Sequence, residues 1–298
     1  MADGLVLTRR ESERGVHETA QRPGAGRSEA VVHRYVGYEE WPESGFFRRE
    51  VARQGVALIL GFGDALDVFE HEVGSPTRRL RAFVVGNQTG SSLTGVWGHQ
   101  LGVQVELTPA GALALFSADV EALSDAVVPL EDALGARGRR LVERLAATGS
   151  WPARLDLLDD ELGETEHEPA LSPEVEWLRR QLAASQGAAR VEPLMDETGW
   201  SRRHVTERFR RQLGVPPKAY ARLLRFEHAA ALLVDAAPGR TLADVAMAAG
   251  YYDQSHLARD FATLAGMTPG AYAADLELDP GVRFVQDAEP VTGAEWKA

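Results

Sequence analysis

There is no cysteine anywhere in the 298-residue chain. That absence removes disulfide frameworks, thiolate-bound zinc, iron–sulfur clusters and any cysteine nucleophile. Apolar runs are short, none near the ~20 residues that a membrane-spanning helix needs, so no membrane partner is expected. No glycine-rich phosphate loop and no Gly-x-Ser-x-Gly elbow occurs, and Gly61-Phe-Gly63 alone marks only a turn. His33, His71 and His99 stand apart, without His-x-His pairing or a carboxylate at ligand spacing. Neither a metal nor any other cofactor is expected. The twin arginine Arg9-Arg10 is followed by acidic and polar residues, not by an apolar stretch, which argues against an export signal and for a cytoplasmic protein.

Positive charge is also in deficit, with 32 Lys+Arg against 44 Asp+Glu and a net charge of −12. Taken globally this argues against a nucleic-acid partner, but the charge is uneven. Residues 171–275 hold 13 basic and 12 acidic residues, and the negative excess lies elsewhere. Within Ser201 to Gln212 five arginines (202, 203, 208, 210 and 211) meet one acid, Glu207. Local patches, not the global sum, decide whether a surface meets phosphate.

What is present is enough for two packed domains, with 44% hydrophobic residues. Residues 1–30, rich in Gly, Arg, Glu and Ser without an apolar period, predict a flexible tail. Residues 31–158 predict a sensor or dimerisation domain. It opens with short strands, among them the Gly55–Gly61 run and the alternating Ala65–Val73 and Leu101–Leu107. Helical patterns follow from Pro109 and from Leu130 to Leu145. The expected class is α+β: a small antiparallel β-barrel, cupin-like or sandwich domain with helices, then an all-α domain. The acidic stretch 159–170 predicts a linker, 171–276 the helical domain, and 277–298 a tail.

In the helical domain Ser172-Pro173-Glu174 opens one helix, and Val191–Glu197 forms another before a Thr198-Gly199-Trp200 turn. Ser201 then caps a third helix, giving a helix-turn-helix outline. Val205, Phe209 and Leu213 make its buried face; Arg202, Arg203, Thr206, Glu207, Arg210 and Arg211 are candidates for DNA contact. The outline repeats. Thr241 to Asp244 reads as a capping box, Gly250 breaks the helix, and Asp253 caps a second reading helix with Leu257, Phe261 and Leu264 inside. Its candidates are Gln254, Ser255, His256 and Arg259. Arginine forks suit guanine edges and phosphates, glutamine suits adenine, and glutamate accepts from cytosine. Pro216-Pro217 starts a connecting helix to about Ala236, a strut of about 28 Å at 1.5 Å per residue. That length is near the ~34 Å between successive major-groove faces, so two reading helices are expected in adjacent grooves.

Residues Gly199 to Gly214, Arg225 to Leu233, Leu242 to Phe261 and Gly266 to Tyr272 together resemble the AraC/XylS family of transcription regulators. The resemblance covers about a hundred residues, with several motifs in order. It implies a non-enzymatic regulator whose two recognition helices enter successive major grooves of double-stranded DNA. Arg203, Thr206 and Glu207, then Gln254, Ser255 and Arg259, would be the base readers. It also implies RNA polymerase as a partner. At Glu207 many relatives carry a basic residue, so the first half-site here reads a different base, or Glu207 orients Arg203 four residues earlier. Alkylation-repair methyltransferases share this DNA-binding type, but their chemistry needs a cysteine acceptor.

The N-terminal region, through Gly86 to Gly90, Leu101 to Gly111 and Val128 to Leu130, more weakly resembles the domain preceding this module in many high-GC bacterial regulators. In outline it is also similar to the cupin-like sensor of sugar-responding relatives, without the metal motif. Trp41, Phe46, Phe47 and Trp97 are candidates for a pocket holding a small-molecule effector, and core packing is the competing role. The alternative is control by a protein partner through the Leu130–Leu145 helix, or by self-association as a homodimer.

Overall fold

The computed structural model describes residues 4–12, 15–69, 78–116, 120–164, 170–234 and 240–278. An antiparallel β sandwich comes first. Its larger sheet joins β1 (Val6–Ser12), β2 (Gly15–Pro23), β3 (Val32–Pro42), β10 (Gln100–Leu107), β5 (Ala57–Gly61), β8 (Ala82–Val85) and β11 (Val127–Pro129) in that order. The smaller sheet joins β4 (Phe46–Glu50), β9 (Ser92–Val96), β6 (Leu66–Phe69) and β7 (Arg78–Leu80). A short helix, α1 (Pro109–Leu115), is capped by Thr108. Two helices, α2 (Leu130–Ala147) and α3 (Trp151–Gly163), then cover the outer face of the larger sheet.

Strand periodicity decides where the core sits. Leu58, Leu60, Val103 and Val105 point to the helices, where Leu141, Leu145, Leu155, Leu158 and Leu162 meet them in one buried cluster. Their neighbours Ile59 and Gln104 point the other way, into the space between the sheets. A period of two sends alternate side chains to opposite faces, so one strand serves a dry core and the gap between the sheets at once. Gly37 leaves room for Trp151, whose ring lies 2.5 Å from where a Cβ would stand. The expected helix from Leu130 forms, but it is bent at Gly135, which holds a left-handed φ of 57°.

Three expected boundaries are corrected. Residues 1–30 are no tail in their described part: β1 and β2 form a hairpin, and β2 pairs along β3 from Gly15↔Pro42 to Pro23↔Arg34. The core-facing side of β2 carries Glu18, Ala20 and Arg22, all buried, so no apolar alternation marks it in the sequence. Glu18 is held by Arg9 at 2.9 Å and Arg22 by Asp156 at 2.8 Å. The second correction is at Asp159, expected to open the linker. It lies inside α3 and gathers Arg22, Ser28 and the Tyr35 hydroxyl around its carboxylate. The helix runs on to Gly163, so no linker opens at residue 159. Third, α10 (Pro269–Leu278) carries the chain past residue 276; the rest of the expected tail, like His71 and the end of the Ala65–Val73 strand, lies outside the described residues.

The second half is helical: α4 (Pro173–Ala184), α5 (Val191–Glu197), α6 (Arg202–Leu213), α7 (Pro217–Val234), α8 (Leu242–Ala248), α9 (Gln254–Leu264) and α10. It holds two clusters. Val175, Leu178, Leu182, Val205, Phe209 and Tyr220 pack around α4 to α6, and Leu223, Phe226, Val245, Leu257 and Phe261 around α8 and α9. Helix α7 belongs to both. No helix among the described residues is long and apolar enough to cross a membrane.

Candidate nucleic-acid interface

Both reading helices are set by short-range chemistry. The Ser201 side chain accepts from the His204 N–H at the start of α6, and Asp253 accepts from the His256 N–H at the start of α9. Thr241 and Asp244 form the reciprocal capping box of α8. The turns before the reading helices hold Gly199 at φ 75° and Gly250 at φ 76°, a backbone region that disfavours residues with a Cβ. The 18 residues of α7 rise about 27 Å at 1.5 Å each, close to the expected strut. Arg222 on α7 reaches the buried Asp260 of α9 at 2.9 Å, tying strut to reading helix.

On α6 the basic side chains differ in what holds them. Arg203 is exposed and has no side-chain partner among the described residues. Arg202 is also exposed but is clamped by Asp196 of α5 at 2.8 and 2.6 Å, which holds that carboxyl below the usual range. Arg211 pairs with Glu207 at 2.9 Å. The expected orientation of Arg203 by Glu207 is therefore not what forms: the acid turns toward the helix C-terminus, where Arg211 is also four residues away. Thr206 donates its hydroxyl to the Arg202 carbonyl at 2.8 Å. Arg210 lies 3.0 Å from Glu121, across the junction with the first domain.

On α9, Gln254, Ser255 and Arg259 are exposed together at the N-terminal half. Arg259 rests its Nε on the Ser255 carbonyl at 3.3 Å, leaving its terminal nitrogens outward. His256 is half-buried, edge-on to Tyr251 with ring centroids 5.1 Å apart. Tyr252, absent from the residues expected from the sequence, is 93% exposed two positions before Gln254. An aromatic at the turn before a capped reading helix was its only signal. Glu121 had no signal, because nothing in a sequence joins residues 121 and 210.

The two halves grip each other at the ends of the reading helices. Asn87 donates to the Leu213 carbonyl at 2.7 Å and Ser124 to the Gly214 carbonyl at 2.9 Å. Gly214 sits at φ 84°, and a Cβ there would meet Asn87 and Ser124 at 2.6 Å. At the other end, the Ala52 N–H donates to the Leu264 carbonyl at 2.7 Å.

The expected pocket aromatics are placed elsewhere. Trp41, Phe47 and Trp97 are 39, 40 and 46% exposed, and Phe46 lies under Arg48, its ring centroid 5.4 Å from the guanidinium. Trp41 stacks on His99, and Phe47 meets Trp97 and Phe69 edge-on. None of Trp41, Phe46 or Trp97 borders the cavity of about 160 Å³ between the sheets. Its wall comes from the inward-facing positions of both sheets, which their alternation sends there and which include Tyr38, Glu50, Thr94 and Gln104. Among the described residues no cluster of His, Asp and Glu fit to hold a metal occurs.

Residues 194–275 match a protein-family model described as a helix-turn-helix domain. No curated protein sequence matches the chain. Among solved structures it is similar to the C-terminal domain of AraT, a response regulator from Geobacillus stearothermophilus, at 23% identity, over 35% of this chain and 87% of that one, with a TM-score of 0.33. It is also similar to ToxT from Vibrio cholerae. An apo form shares 9% identity over 85% of this chain and 99% of that one, with a TM-score of 0.47. A wild-type form bound to an unsaturated fatty acid shares 8% over 78% and 96%, with a TM-score of 0.42.

Proposed function

We propose that this protein, whose residues 194–275 form an AraC-type helix-turn-helix domain, is a sequence-specific transcription regulator that reads two DNA segments and is modulated through its N-terminal domain. One observation carries the reading. Two capped, glycine-turned helices, α6 and α9, present exposed groups suited to base edges, and α7 packs into the clusters of both helix-turn-helix units. Arg203 at one helix and Gln254, Ser255 and Arg259 at the other are the assigned base readers, with Thr206 and Glu207 beside them. Arg202, Arg211 and His256 serve phosphates, and Arg210 joins them once its pair with Glu121 opens. On this reading the partners are double-stranded DNA, RNA polymerase and a small-molecule effector.

The test is selection of sites from a random duplex library by the full chain at a stated salt concentration. Recovery of one motif with two read segments about 10 base pairs apart supports both helices in adjacent grooves. Failure of the full chain and of residues 171–276 alike to select any motif sinks the reading.

A second reading, control by a protein partner or by self-association, is favoured by the exposed aromatics Trp41, Phe47 and Trp97. On the Leu130–Leu145 helix such a partner would meet the exposed charged face, Glu131, Arg139, Arg140 and Arg144, because Leu130, Leu141 and Leu145 are buried in the first domain's core.

A further inference from the structure

The cavity between the two sheets has an apolar body, with Val36, Ile59, Val68 and Phe83 on its wall. Set into that wall are polar groups the protein leaves unfinished. Glu50 Oε2 and Gln88 Nε2 are sealed from solvent and have no hydrogen-bond partner. Buried polar groups without partners are costly and rare in native proteins, and a ligand is one thing that satisfies them.

The charges at the wall are already matched. Arg48 holds both oxygens of Glu40 at 2.7 and 2.8 Å, and Arg53 also has a partner. An entering anion therefore meets arginines that already have partners, with Arg48 Nε the one buried guanidinium nitrogen at the wall left without a hydrogen bond among the described residues. The other oxygen of Glu50 accepts from the Thr94 hydroxyl at 2.8 Å. Burial pushes the Glu50 carboxyl above the usual carboxylate range, against the pull of Arg48 and Arg53. An entering cation thus meets a carboxyl whose charged form burial disfavours. A charged ligand of either sign would give up its hydration at a wall whose arginines are already engaged and whose remaining carboxylate is disfavoured by burial. A cavity of about 160 Å³ suits a molecule of roughly one ring, since engineered cavities of ~150 Å³ take up benzene.

The same wall is shared with the DNA-reading half. Running on from β4, Val51 and Arg53 face the cavity while Ala52 is buried against α7 and α9. The Gln54 N–H donates to the Glu227 carboxylate on α7 at 2.8 Å. Arg53 is bridged to Gln88, which faces the cavity, and the next residue back, Asn87, holds the carbonyl at the end of α6. Alternate positions therefore touch the cavity and the reading helices in turn.

We propose that this cavity binds a small uncharged molecule, an apolar ring or chain with a hydrogen-bonding head for Glu50 and Gln88, and that residues 50–54 and 87–88 pass its occupancy to α6 and α9. The second half of this inference rests on the DNA-binding function proposed above.

Benzamide, benzoate and benzamidine have nearly the same shape and carry no charge, one negative charge and one positive charge. Thermal melting of the full chain with each probe at tens of millimolar tests the site. The expected result is a rise of about 2 °C or more with benzamide alone. That rise is expected to be absent in Val85→Phe, which fills the cavity; Gln88→Leu, close to isosteric, gives the same reading should Val85→Phe not fold. No rise with benzamide, an equal rise with either charged probe, or a rise that survives both substitutions overturns the assignment. For the coupling, saturating benzamide is expected to change affinity for a selected duplex about fivefold or more. Asn87→Ala is expected to keep the melting shift and lose the affinity change. An unchanged wild-type affinity, or an affinity change that persists in Asn87→Ala, overturns the route. The melting arm uses no DNA, so its failure removes the cavity site alone, whereas failure to select any duplex removes the DNA-binding reading alone.

Discussion

Arg210 on the first reading helix lies 3.0 Å from Glu121, a residue of the N-terminal domain 89 positions earlier in the chain. An arginine so engaged is not free to take a phosphate, and opening the pair makes it so. Glu121→Gln is therefore expected to tighten DNA binding. It should also steepen the dependence of log affinity on log salt by about one, the contribution of one added phosphate contact. Titrations between 50 and 200 mM salt on one selected duplex measure the slope; an unchanged slope would show that Arg210 does not reach phosphate.

Arg222 and Asp260 pose a different question, because Asp260 is buried. Arg222→Met strands a carboxylate in the packed junction of α7 and α9, and a loss of about 3 kcal/mol is expected. Replacing both partners, Arg222→Met with Asp260→Leu, is expected to recover most of that loss, since no unpaired charge is left. Urea unfolding of the two variants beside the parent chain distinguishes an ion pair that organises the junction from one that merely decorates it.

Arg203 and Arg259 are exposed and face outward from different reading helices. Replacing either by Ala is expected to cost about 1–3 kcal/mol of specific binding and to relax base preference in one read segment only, with stability unchanged. Arg202→Ala is expected to do less to base preference, because Asp196 already holds that side chain. A selection experiment repeated on each variant shows which segment loses its preference, and retention of both segments removes that arginine from the set of readers.

Glu50 gives the chain a pH signature. Burial raises its pKa in the folded state, so the folded chain binds more protons than the unfolded one between the ordinary value near 4.5 and the raised one. Stability contributed at this position therefore falls as pH climbs through that window. Glu50→Gln keeps an oxygen for the Thr94 hydroxyl and cannot ionise. Its stability relative to the parent is expected to grow from pH 4.5 upward through the raised value and then level off. A difference that stays flat across that range would mean that the folded environment does not disfavour the Glu50 carboxylate.

How much of this was legible beforehand depended on the range of the interaction. The caps at Ser201, Thr241 and Asp253, the turn glycines 199 and 250, and the apolar stripe Val205-Phe209-Leu213 act within one or two helical turns, so their residue types and spacings disclose them. The strand runs around Leu58 and Val103 disclosed themselves by alternation. The β1–β2 hairpin did not, because its buried positions are Glu18 and Arg22, held by ion pairs with residues that a local window does not contain. Asp159 was hidden for the same reason, lying in an acidic stretch that composition assigns to a linker.

The pocket aromatics failed in a related way. Trp41, Phe46 and Trp97 have the residue type of a ligand cleft, but strand register decides which face a side chain takes, and a shift by one position exchanges the faces. The sequence by itself determined the two helix-turn-helix units, their connecting helix and the side chains they offer, since short-range hydrogen bonds and the 3.6-residue period suffice for that. Tertiary structure alone decided that Arg210 meets Glu121, that Asn87 holds the end of α6 and that Glu50 and Gln88 share a cavity. Those contacts join residues far apart in the chain, and only long-range strand pairing and domain packing bring them within hydrogen-bond reach.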